Sequence, residues 1–172
     1  MGDLETFTVG ELAVCCMETP GHTEDHVSFI VTHVTPESTK IPFLFCGDTL
    51  FIGGCGRLLG GTAEQLFYSL QKLINLPHET LVFCAHEYTL ANLKFAKYIE
   101  PNNPMIDSKI KSVTELREMG EYSVGSRLME ERMYNPFIRV ATEPYYKEVT
   151  AEPTDPVRAF AKVRMLKDNF KG

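Results

Sequence analysis

Two histidines and one aspartate stand where this chain could hold a metal ion: His22 in "TPGHTEDH", Asp48 in "FCGDTL" and His86 in "FCAHEYT". Imidazole nitrogen and carboxylate oxygen are donors that zinc and related divalent cations accept, and such a cation lowers the pKa of bound water toward neutrality. His22 follows an apolar run and a Pro-Gly turn, Asp48 follows "FLFCG", and His86 follows "LVFCA". Three donors at the ends of three successive strands can meet in one pocket although they are far apart in sequence. Taken singly, an Asp in "GDT" serves a turn and a His after a strand serves as a hydrogen-bonded structural group. The recurrence at three strand ends is what points to a metal. His26, His33 and His78 are read as structural; His78 lies beside Pro77 in a helix-to-strand loop.

The elements that must position these residues are legible in the hydrophobic pattern. "LAVCCMETPG", "VSFIVTHV", "PFLFCGDT" and "TLVFCAHE" are short β-rich runs separated by turns, the pattern of strands packed on one or both faces. Between the third and fourth lies "GGTAEQLFYSLQKLINLP", where Thr62 and Gln65 form a candidate capping box and Leu66, Leu70, Leu73 and Ile74 repeat at helical spacing. After His86 the chain turns helical through "TLANLKFAKYIE", "IDSKIKSVTELREMG", "SRLMEERMY" and "DPVRAFAKVRMLKDNF", with Asp155 and Pro156 as N-cap and first helical residue. The expected organisation is an α/β part over residues 1–90 and a helical part over residues 91–172.

Composition narrows the function classes. A net charge of −6 without a Lys/Arg run gives no electrostatic reason to expect nucleic acid or an anionic membrane as partner. The five cysteines are odd in number, contain no C-x-x-C pair and sit mostly in apolar runs, so they read as free thiols of a reducing compartment. No stretch approaches the roughly 18 apolar residues of a membrane helix. The expectation is a soluble protein of the cytoplasm, with a mitochondrial form also open.

Taken together, "TPGHTEDH", "GDTLFIGGCGR", "GTAEQ", "HEYTLANLKFAKYIEPNN", "YNPFIRV" and "TDPVRAFAKVRMLKDNF" resemble, in order, the glyoxalase II family, the hydroxyacylglutathione hydrolases of the metallo-β-lactamase fold. The resemblance implies the C-terminal half of an αββα sandwich followed by a helical, glutathione-binding domain. It implies two divalent metal ions, zinc with iron or manganese as the other candidates, and a metal-held hydroxide that attacks the thioester of S-lactoylglutathione to give lactate and glutathione. No protein side chain then serves as nucleophile. By motif, His22 binds one metal, His86 the other, and Asp48 bridges them.

Substrate contacts carry over with departures. Arg57 supplies the charge after "GCG", while Leu58 and Leu59 stand where the family has an aromatic pair, so a glutathione-bonding hydroxyl is absent at Leu59. Tyr88 matches the family's tyrosine and, beside His86, would face the peptide part of the ligand. Arg164 and Lys167, at i and i+3 on one helix face, match a basic pair that meets the glycine carboxylate.

The family's further motif, H-x-H-x-D-H, brings two more ligands for each metal and is not present in this sequence. The chain is therefore expected to begin partway through the catalytic domain, to bind a metal pair weakly and to be catalytically silent alone, its family activity belonging to a longer product. Such a product is expected to be monomeric, and this chain to associate through an uncovered sheet face. The alternative reading is a non-catalytic module that binds glutathione conjugates.

Overall fold

The structure, a computed structural model, describes residues 2–34 and 41–172. Four strands come first: β1 (Thr6–Val9), β2 (Leu12–Glu18), β3 (Val27–His33) and β4 (Phe43–Gly47). A two-stranded hairpin, β5 (Leu50–Phe51) and β6 (Gly54–Cys55), precedes helix α1 (Ala63–Ile74), strand β7 (Leu81–Cys84) and helix α2 (Thr89–Ile99). Helix α3 (Pro104–Glu118), strand β8 (Ser126–Arg127) and helices α4 (Leu128–Tyr134), α5 (Pro136–Arg139), α6 (Tyr145–Thr150) and α7 (Pro156–Asp168) complete the order.

Among the described residues, six strands form one mixed sheet in the order β1-β2-β3-β4-β7-β8. All neighbours are antiparallel except β4 and β7, which run parallel and are joined through α1. A parallel pair needs such a crossover, and the crossover helix must bury its apolar stripe on the sheet. Leu66, Phe67, Leu70, Leu73 and Ile74 of α1 are buried in the shared core, Phe67 against Phe160, and the Thr62–Gln65 capping box is present at the helix start. Along β4 the period of two is plain, with Leu44 and Cys46 fully buried and Phe45 46% exposed. Strand β4 is thus packed on one face only. On the other face Phe83 lies against Phe43 and Phe45 with ring centroids 5.9 and 5.5 Å apart.

The core continues from the sheet into the helices. Phe160 of α7 meets Phe67 of α1 and Phe137 of α5 edge-on, each at 5.7 Å, and all are buried. The Asp155 carboxylate accepts the amides of Val157 and Arg158 and starts α7 where the Asp-Pro pair predicts. One expectation is corrected: the helical reading of "SRLMEERMY" fails at its first two residues. Ser126 and Arg127 pair with Val82 and Leu81 and form β8. An unpaired β7 edge offers a row of backbone partners, and that overrides local propensity.

Candidate metal centre

His22 lies on the connection between β2 and β3, a loop closed by Thr19 donating to the His26 carbonyl and Gly21 to that of Thr23. Gly21, at φ +139°, rests so closely on α1 that a Cβ there would lie 2.4 Å from Leu66 Cα, so the loop requires glycine. The chain after β6 then fixes the histidine from the other side. Leu59 N–H donates to the His22 carbonyl at 2.8 Å, and His22 Nδ1 lies 2.8 Å from the Arg57 carbonyl. A carbonyl only accepts, so Nδ1 carries a hydrogen, and a ring with that hydrogen alone keeps its lone pair on Nε2. That nitrogen is 3.2 Å from Asp48 Oδ2.

The parallel pairing of β4 and β7 places Gly47 opposite Cys84 and so brings Asp48 beside His86. Asp48 N–H donates to His26 Nε2 at 3.2 Å, which puts the His26 hydrogen on Nδ1, facing the hydroxyls of Thr49 at 2.9 Å and Thr19 at 3.1 Å. Burial first, and His22 nearby second, hold the His26 pKa below the usual histidine range. His26 remains the structural histidine the sequence suggests, yet what it orients is the backbone of a candidate ligand. The signal for that was its place opposite Thr19 in the hairpin, invisible without the register. His86 Nε2 approaches the other carboxylate oxygen, Asp48 Oδ1, at 3.5 Å, while its ring stacks on Tyr88 at 5.0 Å.

These residues fit divalent cations in the way a bridging carboxylate would. Two imidazoles address opposite oxygens of one carboxylate, and Oδ1 is buried without a hydrogen bond from any described residue. Donors about 2.0–2.1 Å from a tetrahedral zinc stand roughly 3.3–3.4 Å apart, close to the two separations found here. At these separations the contact of Nε2 with the carboxylate is favourable either with a proton on the nitrogen or with a metal cation between the two. Among the described residues no group of three or more His, Cys, Asp or Glu is arranged to hold one ion. Each position thus has two protein donors, one histidine and a share of Asp48.

A cavity of about 440 Å³ opens beside the carboxylate, and Arg57, Leu59, His86, Tyr88, Arg164 and Lys167 all line it. Arg57, Leu59 and Tyr88 are exposed on its rim. Lys167 donates to the Ala91 carbonyl at 3.1 Å and lies over Phe95 and Phe170; burial first, then Arg164 and Arg57, bring its pKa down to about 8. Arg164 is only 4% exposed. Its Nη1 donates to the carbonyls of Cys55 and Gly56, its Nη2 to Asp168, and its Nε is buried with no partner among the described residues. The basic pair expected to meet a carboxylate together is therefore unequal, because both terminal nitrogens of Arg164 already have partners in the protein. Asn92, on the cavity wall, was not singled out in the sequence; its amide reaches back to the Ile52 carbonyl.

Two family models match the chain in succession: the metallo-beta-lactamase superfamily over residues 2–86 and the hydroxyacylglutathione hydrolase C-terminus over residues 87–170. A hydroxyacylglutathione hydrolase from Synechococcus sp. (strain JA-3-3Ab) is 48% identical over 151 residues, covering 88% of this chain and 56% of that protein. Another, from Shewanella halifaxensis (strain HAW-EB4), is 41% identical and covers 98% of this chain and 63% of that protein. The chain spans 55–63% of the length of the curated relatives it matches. Among solved structures, a metallo-beta-lactamase from Staphylococcus aureus subsp. aureus COL aligns at TM-score 0.56 and 19% identity, over 97% of this chain and 42% of that one. ETHE1 from Myxococcus xanthus aligns at 0.54 and 21%, over 100% and 52%. These two likenesses establish the fold.

Proposed function

Because this chain belongs to the hydroxyacylglutathione hydrolase family of the metallo-β-lactamase superfamily, we propose that it carries half of a thioester-hydrolase site and most of its glutathione-binding wall. The observation that carries this is the one carboxylate flanked by two imidazoles, with a buried Oδ1 left without a hydrogen bond. His22 and Asp48 would hold one divalent cation, His86 and Asp48 the second, with zinc first and iron or manganese next. Such a pair, when bound, supplies an acidified water and a Lewis acid for the thioester carbonyl.

The chain's own residues do the rest. His26 and the Arg57 carbonyl orient Asp48 and His22, and Phe51 with Tyr88 walls the His86 ring from one side. Residues 1–90 provide the metal donors, and residues 91–172 provide the wall. Lys167 and Arg57 place positive charge where the carboxylates of glutathione would lie, Tyr88 offers a hydroxyl to its peptide part, and Leu59 gives an apolar rim. Arg164 adds charge from behind the wall. The completed enzyme would act on S-lactoylglutathione in the cytoplasm, with a mitochondrial form also open, and with neither nucleic acid nor membrane as partner.

The test is thioester loss from S-lactoylglutathione with zinc, iron or manganese, for the chain alone and for the chain fused behind the family's H-x-H-x-D-H segment. Metal-dependent turnover is expected from the fusion and none from the chain alone. A fusion that loads metal yet leaves the thioester intact would refute the hydrolase reading. The count of two protein donors per metal position favours a second reading, a binder of glutathione conjugates without turnover. Micromolar binding of S-methylglutathione by an inactive, metal-loaded fusion would select it.

A further inference from the structure

The segment from Phe51 to Gly56 is too short to hold itself. Its two strands are two residues each, and a lone hairpin of that size has no stability in water. Among the described residues, four buried side chains from the helical region grip its backbone instead. Asn135 donates to the carbonyls of Phe51 and Gly54 at 3.2 and 3.0 Å, Asn92 donates to that of Ile52 at 3.2 Å, and Glu131 accepts the Gly53 amide at 2.9 Å. Arg164 takes the last two carbonyls, Cys55 at 3.1 Å and Gly56 at 3.4 Å, while its guanidinium lies 4.9 Å from the Phe137 ring.

The next residue is Arg57, whose carbonyl receives His22 Nδ1. Gly56 packs so tightly against this junction that a Cβ would lie 2.0 Å from the Asp48 carbonyl oxygen and 3.1 Å from His22 Nδ1. The other three grips end at Gly54; beyond the backbone pairing of Cys55 with Leu50 and a 3.4 Å bond from the Gly56 amide to the Thr49 carbonyl, Arg164 is the one side chain from the helical region, among the described residues, that holds the two residues leading into the Arg57 carbonyl. We infer that Arg164 is a positioning residue: by fixing the Cys55 and Gly56 carbonyls it aims the Arg57 carbonyl at His22, sets the Nδ1–H tautomer and leaves Nε2 free to ligate. A single nitrogen, Nη1, takes both carbonyls while Nη2 is held by Asp168 and the planar guanidinium lies over the Phe137 ring, a combination a lysine ammonium cannot reproduce. The inference rests on the metal-site reading for its consequence, while the tautomer itself needs neither metal nor substrate.

The experiment is two-bond ¹H–¹⁵N spectroscopy of the metal-free, histidine-labelled full chain at about pH 8, well above the ordinary histidine range. Wild-type His22 should show the Nδ1–H pattern. In folded Arg164→Met the ratio should shift roughly five- to tenfold toward Nε2–H, in Arg164→Lys less, and in Lys167→Ala not at all. A merely structural arginine would lower the unfolding midpoint and leave the tautomer of the folded molecules unchanged. An Nε2–H pattern in the wild type, or a wild-type pattern in folded Arg164→Met, overturns the inference. If neither Arg164 variant folds, hydrogen exchange in the wild type decides. His22 Nδ1–H and the Arg164 Nη protons should then exchange through one opening event, and a His22 proton exchanging about a hundredfold faster overturns it. A negative result here leaves the hydrolase proposal standing, and an inactive fusion with the expected tautomer leaves this inference standing.

Discussion

The two candidate metal-binding histidines are held in opposite ways. His22 has a side chain 14% exposed and is tied by its ring to Arg57, by its carbonyl to Leu59, and by the preceding glycine to the first turn of α1. His86 is 49% exposed and is steadied by ring contacts with Tyr88 and Phe51. The difference follows from where each sits. His22 is on a long loop that must be fastened by distant parts of the chain, whereas His86 comes two residues after a central strand whose register already places it. One candidate ligand is thus preorganised by tertiary hydrogen bonds and the other by topology with rotational freedom left over, so damage to the helices should reach His22 first.

The strongest way to break this contrast is Gly56→Ala. A Cβ at this position meets backbone and not a flexible side-chain end, so the substitution should destabilise the chain by at least about 3 kcal/mol in urea unfolding. Asp48→Asn attacks what the two histidines share, since an amide cannot bridge two cations. Zinc affinity of the H-x-H-x-D-H fusion, measured by chelator competition, should fall about a hundredfold or more. Comparing His22→Ala with His86→Ala sharpens the contrast directly. The first removes a hydrogen bond to Arg57 and should cost about 1–2 kcal/mol of stability, and the second, at an exposed ring, within about 0.5 kcal/mol. Equal costs would mean that His22 is no better fastened than His86.

The smallest effect is a pH dependence from the helical side. Lys167 has a folded-state pKa near 8 against 10.5 for the ordinary side chain, so between those values the unfolded chain binds more protons than the folded one. Stability from this group therefore rises with pH across that window, and the rise should vanish in Lys167→Met. Binding of a glutathione carboxylate should move the opposite way and weaken as pH passes 8, seen as a rising KM with little change in kcat in the active fusion. Lys167→Arg should keep affinity level over the same range, because arginine stays charged.

Much of this was readable in the residues. The three candidate donors, which the structure brings together, stand out by their places after apolar runs, and the caps at Thr62 and Asp155 by local sequence, because strand ends and caps are decided by neighbours. The β5–β6 hairpin was not, since strands of two residues have no period to read and its partners are remote side chains. The spacing of Arg164 and Lys167 correctly put both on the cavity side of one helix. It held no information on which would meet protein backbone first, and the backbone in question lies more than a hundred residues earlier. "YNPFIRV" was recognisable as a motif before its purpose was: Asn135 grips the hairpin and Tyr134 donates to the buried Glu131 that grips it too.

The reach of Arg164 back to Cys55, 109 residues away in sequence, also gives the site a birth order. A ribosome adding about 5–20 residues per second needs roughly 5–20 s to cover that stretch. For the part of that interval after residue 86 is added, the nascent chain has made His22, Asp48 and His86, but the carbonyls at residues 55 and 56 still lack Arg164 and are met by water. Metal arriving then would meet the three candidate donors before α7, made more than a hundred residues after the hairpin, can fix the loop beside them.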